Sequence, residues 1–279
     1  MKQGDTRMEA YDPNTQTIPA LPPQRAASSA SPVWAFLLDV VIAVAIMLAV
    51  TMAYGLLWGI WLGFEQGRRG VPLDPAMIQQ GPGTLSLLLM TLLGMSAASF
   101  TVYFWRRRAN AQERALSWQA ARKPATWGWV LLTLAVVMCT SMGTTSLATA
   151  MDSRFAPSNL EIMQDIQQRM PWLLWVFAVV LAPLYEEVLF RRVLFGRLWA
   201  AGRPVLGALL SSVLFALAHE FPGMGNNSPA AAALLWTYYV FMGLALAWIY
   251  RRTGTLWAPI GVHALNNLAA CVMIALGIG

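Results

Sequence analysis

Two adjacent carboxylates and two adjacent arginines stand in a run that is otherwise as apolar as a lipid tail, Ala182-Pro183-Leu184-Tyr185-Glu186-Glu187-Val188-Leu189-Phe190-Arg191-Arg192. An ionisable side chain at membrane depth costs about 2.5–3.5 kcal/mol on insertion scales, so such a cluster reads by default as a functional site shared with other helices. Helical spacing divides the pair. Glu187 lies four residues before Arg191, the favourable order for an ion pair on one face. Glu186 has Leu189 and Phe190 at the equivalent positions, and its own helix offers it no cation. Glu187–Arg191 therefore reads as a supporting pair. Glu186 reads as a general base, since a desolvated carboxylate is the stronger base. Pro183, one turn earlier, can loosen the helix and admit water. The plainer alternative is that both glutamates pair with Arg191 and Arg192 to lock helices together.

The chain has only two histidines, and each can be placed against this cluster. Gly202-Arg203-Pro204 should break one helix and start the next. Glu186 and His219 are nearly equidistant from that turn, so an antiparallel hairpin sets them at the same depth. Phe215, one turn from His219, is placed to pack on the imidazole. His263 and Asn267 are spaced i and i+4 in the last apolar segment, and both polar heads leave one face while Asn266 points elsewhere. Two stacked donors suit a developing oxyanion. A helix-to-helix hydrogen bond is the simpler role for the asparagine.

Taken in order, Glu186-Glu187 with Arg191, Phe215 with His219, and His263 with Asn267 form a joint pattern, with Thr253-Gly254-Thr255-Leu256-Trp257-Ala258-Pro259-Ile260 before the last motif. This pattern resembles the CAAX protease and bacteriocin-processing enzymes (CPBP), the type II CAAX prenyl endopeptidase family, over roughly residues 171–279. The resemblance implies an intramembrane endopeptidase. In it Glu186 and His219 would activate the attacking water, and His263 with Asn267 would form the oxyanion hole. Glu187 and Arg191 would support the site. No metal or other cofactor is expected: the chain has no H-E-x-x-H, since His219-Glu220 runs on into Phe221-Pro222-Gly223. Glu, His, His and Asn nonetheless include groups that bind Zn²⁺. Glu220 reads as no more than a helix end.

The elements that must carry these residues follow from composition. Hydrophobic residues make up 57% of the 279 and charged residues 11%, against about 25% charged in a soluble protein. The chain cannot cover a water-facing surface and is expected to be an all-α, polytopic transmembrane helix bundle. Seven apolar segments, near 33–62, 84–105, 126–150, 171–200, 204–221, 230–250 and 255–276, give about seven spans. Tryptophans and tyrosines gather at their ends, as at a headgroup belt. Residues 1–32, polar and rich in Pro, Ser and Gln, read as a disordered cytoplasmic tail before a transmembrane domain at 33–279.

Orientation comes from the basic residues. With the N-terminus inside, fifteen of the nineteen Lys and Arg fall on the inner side, leaving Arg68, Arg69, Arg154 and Arg169 outside. The expected location is a bacterial cytoplasmic (inner) membrane with the N-terminus in the cytoplasm and the C-terminus outside. The net charge of +6 then needs no nucleic acid, and the lipid bilayer is the natural neighbour. The basic stretch 106–125 reads as a solvated loop, with a short interfacial helix as the alternative. Cys139 and Cys271, far apart in apolar segments, read as small buried hydrophobes. The expected substrate is a membrane-associated peptide or protein, lipidated or not. A non-catalytic immunity or regulatory protein of the same fold and a proton-coupled transporter are the competing readings.

Overall fold

A computed structural model describes residues 31–72, 75–151, 156–223 and 227–277. Among these there is no strand. The first span, α1 (Pro32–Arg69), starts with proline at its first turn and ends at Gly70, whose φ of +66° closes the helix in the left-handed conformation glycine tolerates. A short α2 (Pro75–Gln80) leads into α3 (Thr84–Arg106). The short α4 (Ala111–Ala121), the long α5 (Pro124–Ala150) and α6 (Leu160–Arg169) follow.

The fourth span, Pro171–Ala200, is not one regular helix. It alternates α7 (Pro171–Trp175), a π-helical stretch (Val176–Leu181), α8 (Ala182–Glu187), a second π stretch (Val188–Phe195) and α9 (Gly196–Ala200). Then come α10 (Pro204–His219), α11 (Pro229–Thr253) and α12 (Trp257–Ala275). Six of the described helices are long and apolar enough to cross a membrane, and α10 is a shorter apolar seventh, so the all-α polytopic expectation holds.

The fourth span is the axis of the bundle. Half of its most apolar window is buried within the protein, against 17–33% for the other spans. It packs on α3, α10 and α12, while α10 lies along α11 and α5 backs α11 and α12. Val193, Leu198, Phe215, Leu246 and Val262 meet in the main core. Contact between α10 and α11 depends on a missing side chain: a Cβ on Gly243 would lie 2.7 Å from Ser212 Cβ and 2.9 Å from its Cα. Small residues let helix backbones approach in this way.

Several sequence expectations need correction. The 106–125 stretch is not simply a solvated loop. It contains α4, started by a reciprocal capping box in which Asn110 Oδ1 accepts from Glu113 N (2.8 Å) and Glu113 Oε2 accepts from Asn110 N (3.0 Å). Cys139 is exposed on the bundle's outer surface, whereas Cys271 is buried, and both are free. The expected tail lies almost wholly outside the described residues, and the helix already begins at Pro32. Asp39, a lone carboxylate in the first apolar segment, is fully buried and bridges Arg106 of α3 and Arg197 of α9. It ties three helices together at the basic face.

Candidate active site

The first π stretch of the fourth span follows from Pro183. Proline has no N–H, so no donor can reach back from position 183 to the preceding turn. The Ala182 N–H bonds the Phe177 carbonyl, the five-residue reach of a π-helix. The Ala178 carbonyl is thereby left without either of its two candidate backbone donors. Asn267 fills the gap from α12, its Nδ2 donating to Ala178 O at 2.8 Å. The helix-to-helix role open to this asparagine in the sequence is thus realised for one of its N–H groups. Asn266 points away, its Oδ1 accepting from Tyr238 of α11 at 3.3 Å.

Glu186, Glu187 and Arg191 lie just below, all buried in the bundle. His219 Nε2 is 3.5 Å from Glu186 Oε2, as the hairpin register leads one to expect, and His263 Nε2 is 3.8 Å from the same oxygen. That oxygen has no hydrogen-bond partner within the protein. Both imidazoles have their other nitrogen occupied. His219 Nδ1 lies 2.9 Å from Phe215 O, and a carbonyl can only accept, so Nδ1 carries the proton. His263 Nδ1 is 2.8 Å from Glu187 Oε1 and donates to that carboxylate. In their neutral forms both histidines therefore turn a lone pair toward Glu186. Three acceptors converge on a point where something must supply positive charge or protons.

Behind this point sits a second layer. Arg191 Nε is 3.0 Å from Glu187 Oε2 but out of hydrogen-bond alignment, and its guanidinium lies over the Phe215 ring at 4.6 Å. Glu187 thus serves two partners, Arg191 and His263, where the sequence offered only the first. Phe215 packs on His219 at 4.2 Å between ring centroids, and Tyr239 of α11 packs on the same imidazole at 4.8 Å. His219 is clamped between two rings, with about a fifth of its side chain still exposed. His263 is almost completely enclosed.

Tyr239 and Glu220 are the residues the sequence reading missed. Tyr239 gave no signal, being one aromatic among many. Glu220 does more than end a helix. It is buried, its Oε2 accepts from Ser158 N (3.0 Å), its Oε1 from Asn227 Nδ2 (3.4 Å), and its carbonyl from Trp236 Nε1 (2.9 Å). Asn227 also holds both backbone groups of Ala156. This network anchors the end of α10 that presents His219. The signal was available: a carboxylate directly after a candidate catalytic histidine.

Candidate metal ligands can be named from the same geometry. Single atoms from Glu186, His219 and His263 all lie within 4.8 Å of one another. Two imidazoles with inward lone pairs and one carboxylate are a donor set that fits Zn²⁺, and catalytic zinc sites use the same composition.

Comparisons with known proteins agree with the motifs. Residues 168–269 match the model of the family described as type II CAAX prenyl endopeptidase Rce1-like. "Putative membrane peptidase YdiL" of Bacillus subtilis (strain 168) is 30% identical over 115 residues, covering 41% of this chain and 42% of that protein. "Membrane-embedded CAAX protease MroQ" of Staphylococcus aureus (strain USA300) is 30% identical over 146 residues, covering 50% and 54%. The matches thus span about half or less of each relative's length. No solved structure matches the chain. The resemblance read from the three motifs is therefore shown: residues 168–269, which hold all six candidate site residues, are similar to the Rce1-like type II CAAX prenyl endopeptidases.

Proposed function

We propose that the chain is an intramembrane endopeptidase that hydrolyses a peptide bond of a membrane-associated peptide or protein. The observation that carries this reading is the convergence of Glu186 Oε2 with His219 Nε2 and His263 Nε2. A water between Glu186 and His219 can donate one hydrogen to each, which turns its lone pair toward a scissile carbonyl. Glu186 takes the proton as water attacks, and delivers it to the leaving amine. His263 with a proton on Nε2 would be a cation beside Glu187 and would stabilise the oxyanion. Asn267 has a second N–H to offer the oxyanion while its first caps Ala178.

The expectation of a metal-free site is kept in this proposal. If zinc is bound, Glu186, His219 and His263 hold it, and it supplies Lewis acidity at the same carbonyl. The orientation, with the N-terminus and the basic face in the cytoplasm of a bacterial inner membrane, belongs to the proposal too. The comparisons lend no support to a transporter. A non-catalytic immunity protein would have no need to keep all three convergent groups.

The test is cleavage by purified protein in vesicles, with mass spectrometry of new peptide termini. Specific internal cuts in a membrane-associated substrate are expected, and they should survive thorough chelation and dialysis. Loss under chelator that substoichiometric Zn²⁺ restores would transfer the chemistry to the metal. No cleavage of any membrane peptide would sink the peptidase reading.

A further inference from the structure

On the basic face, between α4 and the ends of the spans, lies a cavity of about 750 Å³ that contains none of the candidate site residues. It follows the fourth span from Trp199 to Leu184, roughly 20 Å along the helix axis. That exceeds half the ~30 Å hydrocarbon thickness, the depth of one leaflet. Its aliphatic lining includes Leu184, Val188, Leu256 and Ile260, and Trp118 and Trp257, in edge-to-face contact, line it too.

Several polar groups of the lining already have partners within the protein. Ser117 Oγ and Thr255 Oγ1 are 3.0 Å apart, Thr253 Oγ1 donates to Ile249 O, and the Glu113 carboxylate accepts from Arg192 at 2.6 Å. Two cations remain: Arg114, which gives one N–H to Ala109 O, and Lys123. Both are exposed.

We infer that this cavity is a binding site for an anionic phospholipid, with one acyl chain lying along the Leu184–Val188 wall and the headgroup phosphate between Arg114 and Lys123. The charge arithmetic favours that occupant. Among the described lining residues the one carboxylate, Glu113, is paired with Arg192, so the mouth carries net positive charge above an apolar shaft. A peptide would bring a row of backbone donors and acceptors to a wall that has few free partners for them. A lipid brings one anion and a hydrocarbon chain. Because Leu184 and Val188 bracket Glu186 and Glu187 in sequence, a bound chain would also buttress the back of the catalytic turn.

The experiment is native mass spectrometry of the full chain, delipidated and then offered phosphatidylglycerol and phosphatidylcholine with identical acyl chains. The wild-type protein should retain phosphatidylglycerol preferentially by roughly tenfold or more at low salt, the scale expected of two basic side chains near an anionic headgroup. The preference should vanish in R114Q/K123Q and persist in R114K/K123R, and glycerol phosphate without acyl chains should not be retained. Equal retention of the two lipids overturns the proposal, as does a preference that R114Q/K123Q leaves intact. Displacement of the lipid by a soluble anionic peptide assigns the cavity to a peptide instead. If R114Q/K123Q fails to fold, the wild-type comparison alone decides.

Discussion

At the scale of residues, Glu187 and Asn267 have tasks that differ from those of Glu186. Glu187→Gln removes the carboxylate from both Arg191 and His263, and stranding one side of a buried charge pair costs about 3–5 kcal/mol. Its melting temperature in detergent should fall well below wild type, and any folded fraction should be impaired because a neutral amide holds His263 less firmly than a carboxylate. Asn267 shares a circuit with Pro183. Asn267→Ala should cost about 1 kcal/mol, the order of a membrane hydrogen bond, because the Ala178 carbonyl loses its donor. Adding Pro183→Ala restores a backbone N–H in that turn. The double variant should therefore be more stable than the sum of the single effects, and strict additivity in the thermodynamic cycle would show that the circuit is not real. Half of this was legible in the sequence. The i,i+4 spacing marked Glu187–Arg191, but nothing local showed that His263, seventy-six residues away, also leans on Glu187.

At the scale of elements, apolar run length marked all seven hydrophobic helices to within a few residues, except for the C-terminal end of α1. That end runs to Arg69 through Glu65, which is ion-paired on the helix surface to Arg68 and Arg69. Short amphipathic α6 was unread because ten residues give little period to detect. The capping box at Asn110–Glu113 was a readable start signal for α4, and the basic composition of the stretch obscured it. Arg107, just past the end of α3, shows how crowded this face is. Its guanidinium donates to Gly196 O at 3.2 Å, and burial together with Arg192 and Arg197 pushes its pKa down to about 10. The α10–α11 contact gives a direct check on packing. Gly243→Ala must push the helices apart at Ser212 and should cost about 1–3 kcal/mol of stability. Gly143→Ala, with open space around it, is the control and should leave the melting temperature unchanged or slightly higher.

At the scale of the whole molecule, the proposed topology counts α10 as a crossing beside the six longer spans, which puts the two ends of the chain on opposite sides. A reporter fused after Gly279 should score as external and one inserted in the α4 region as cytoplasmic. Two cytoplasmic scores would mean that α10, only 16 residues long, does not count as a crossing or that another segment does. On the proposed function the whole bundle serves one carboxylate, Glu186, held between two histidines. The most direct measurement is specific activity per folded molecule of Glu186→Gln against wild type. The variant keeps its size, breaks no ion pair on its own helix, and should insert and melt like wild type. Its cleavage rate should fall by about 10²–10⁴, the usual contribution of a positioned acid–base group. If Glu186→Gln cleaves at close to the wild-type rate while folded Glu187→Gln is inactive, the two carboxylates have each other's roles and Glu186 is not the base.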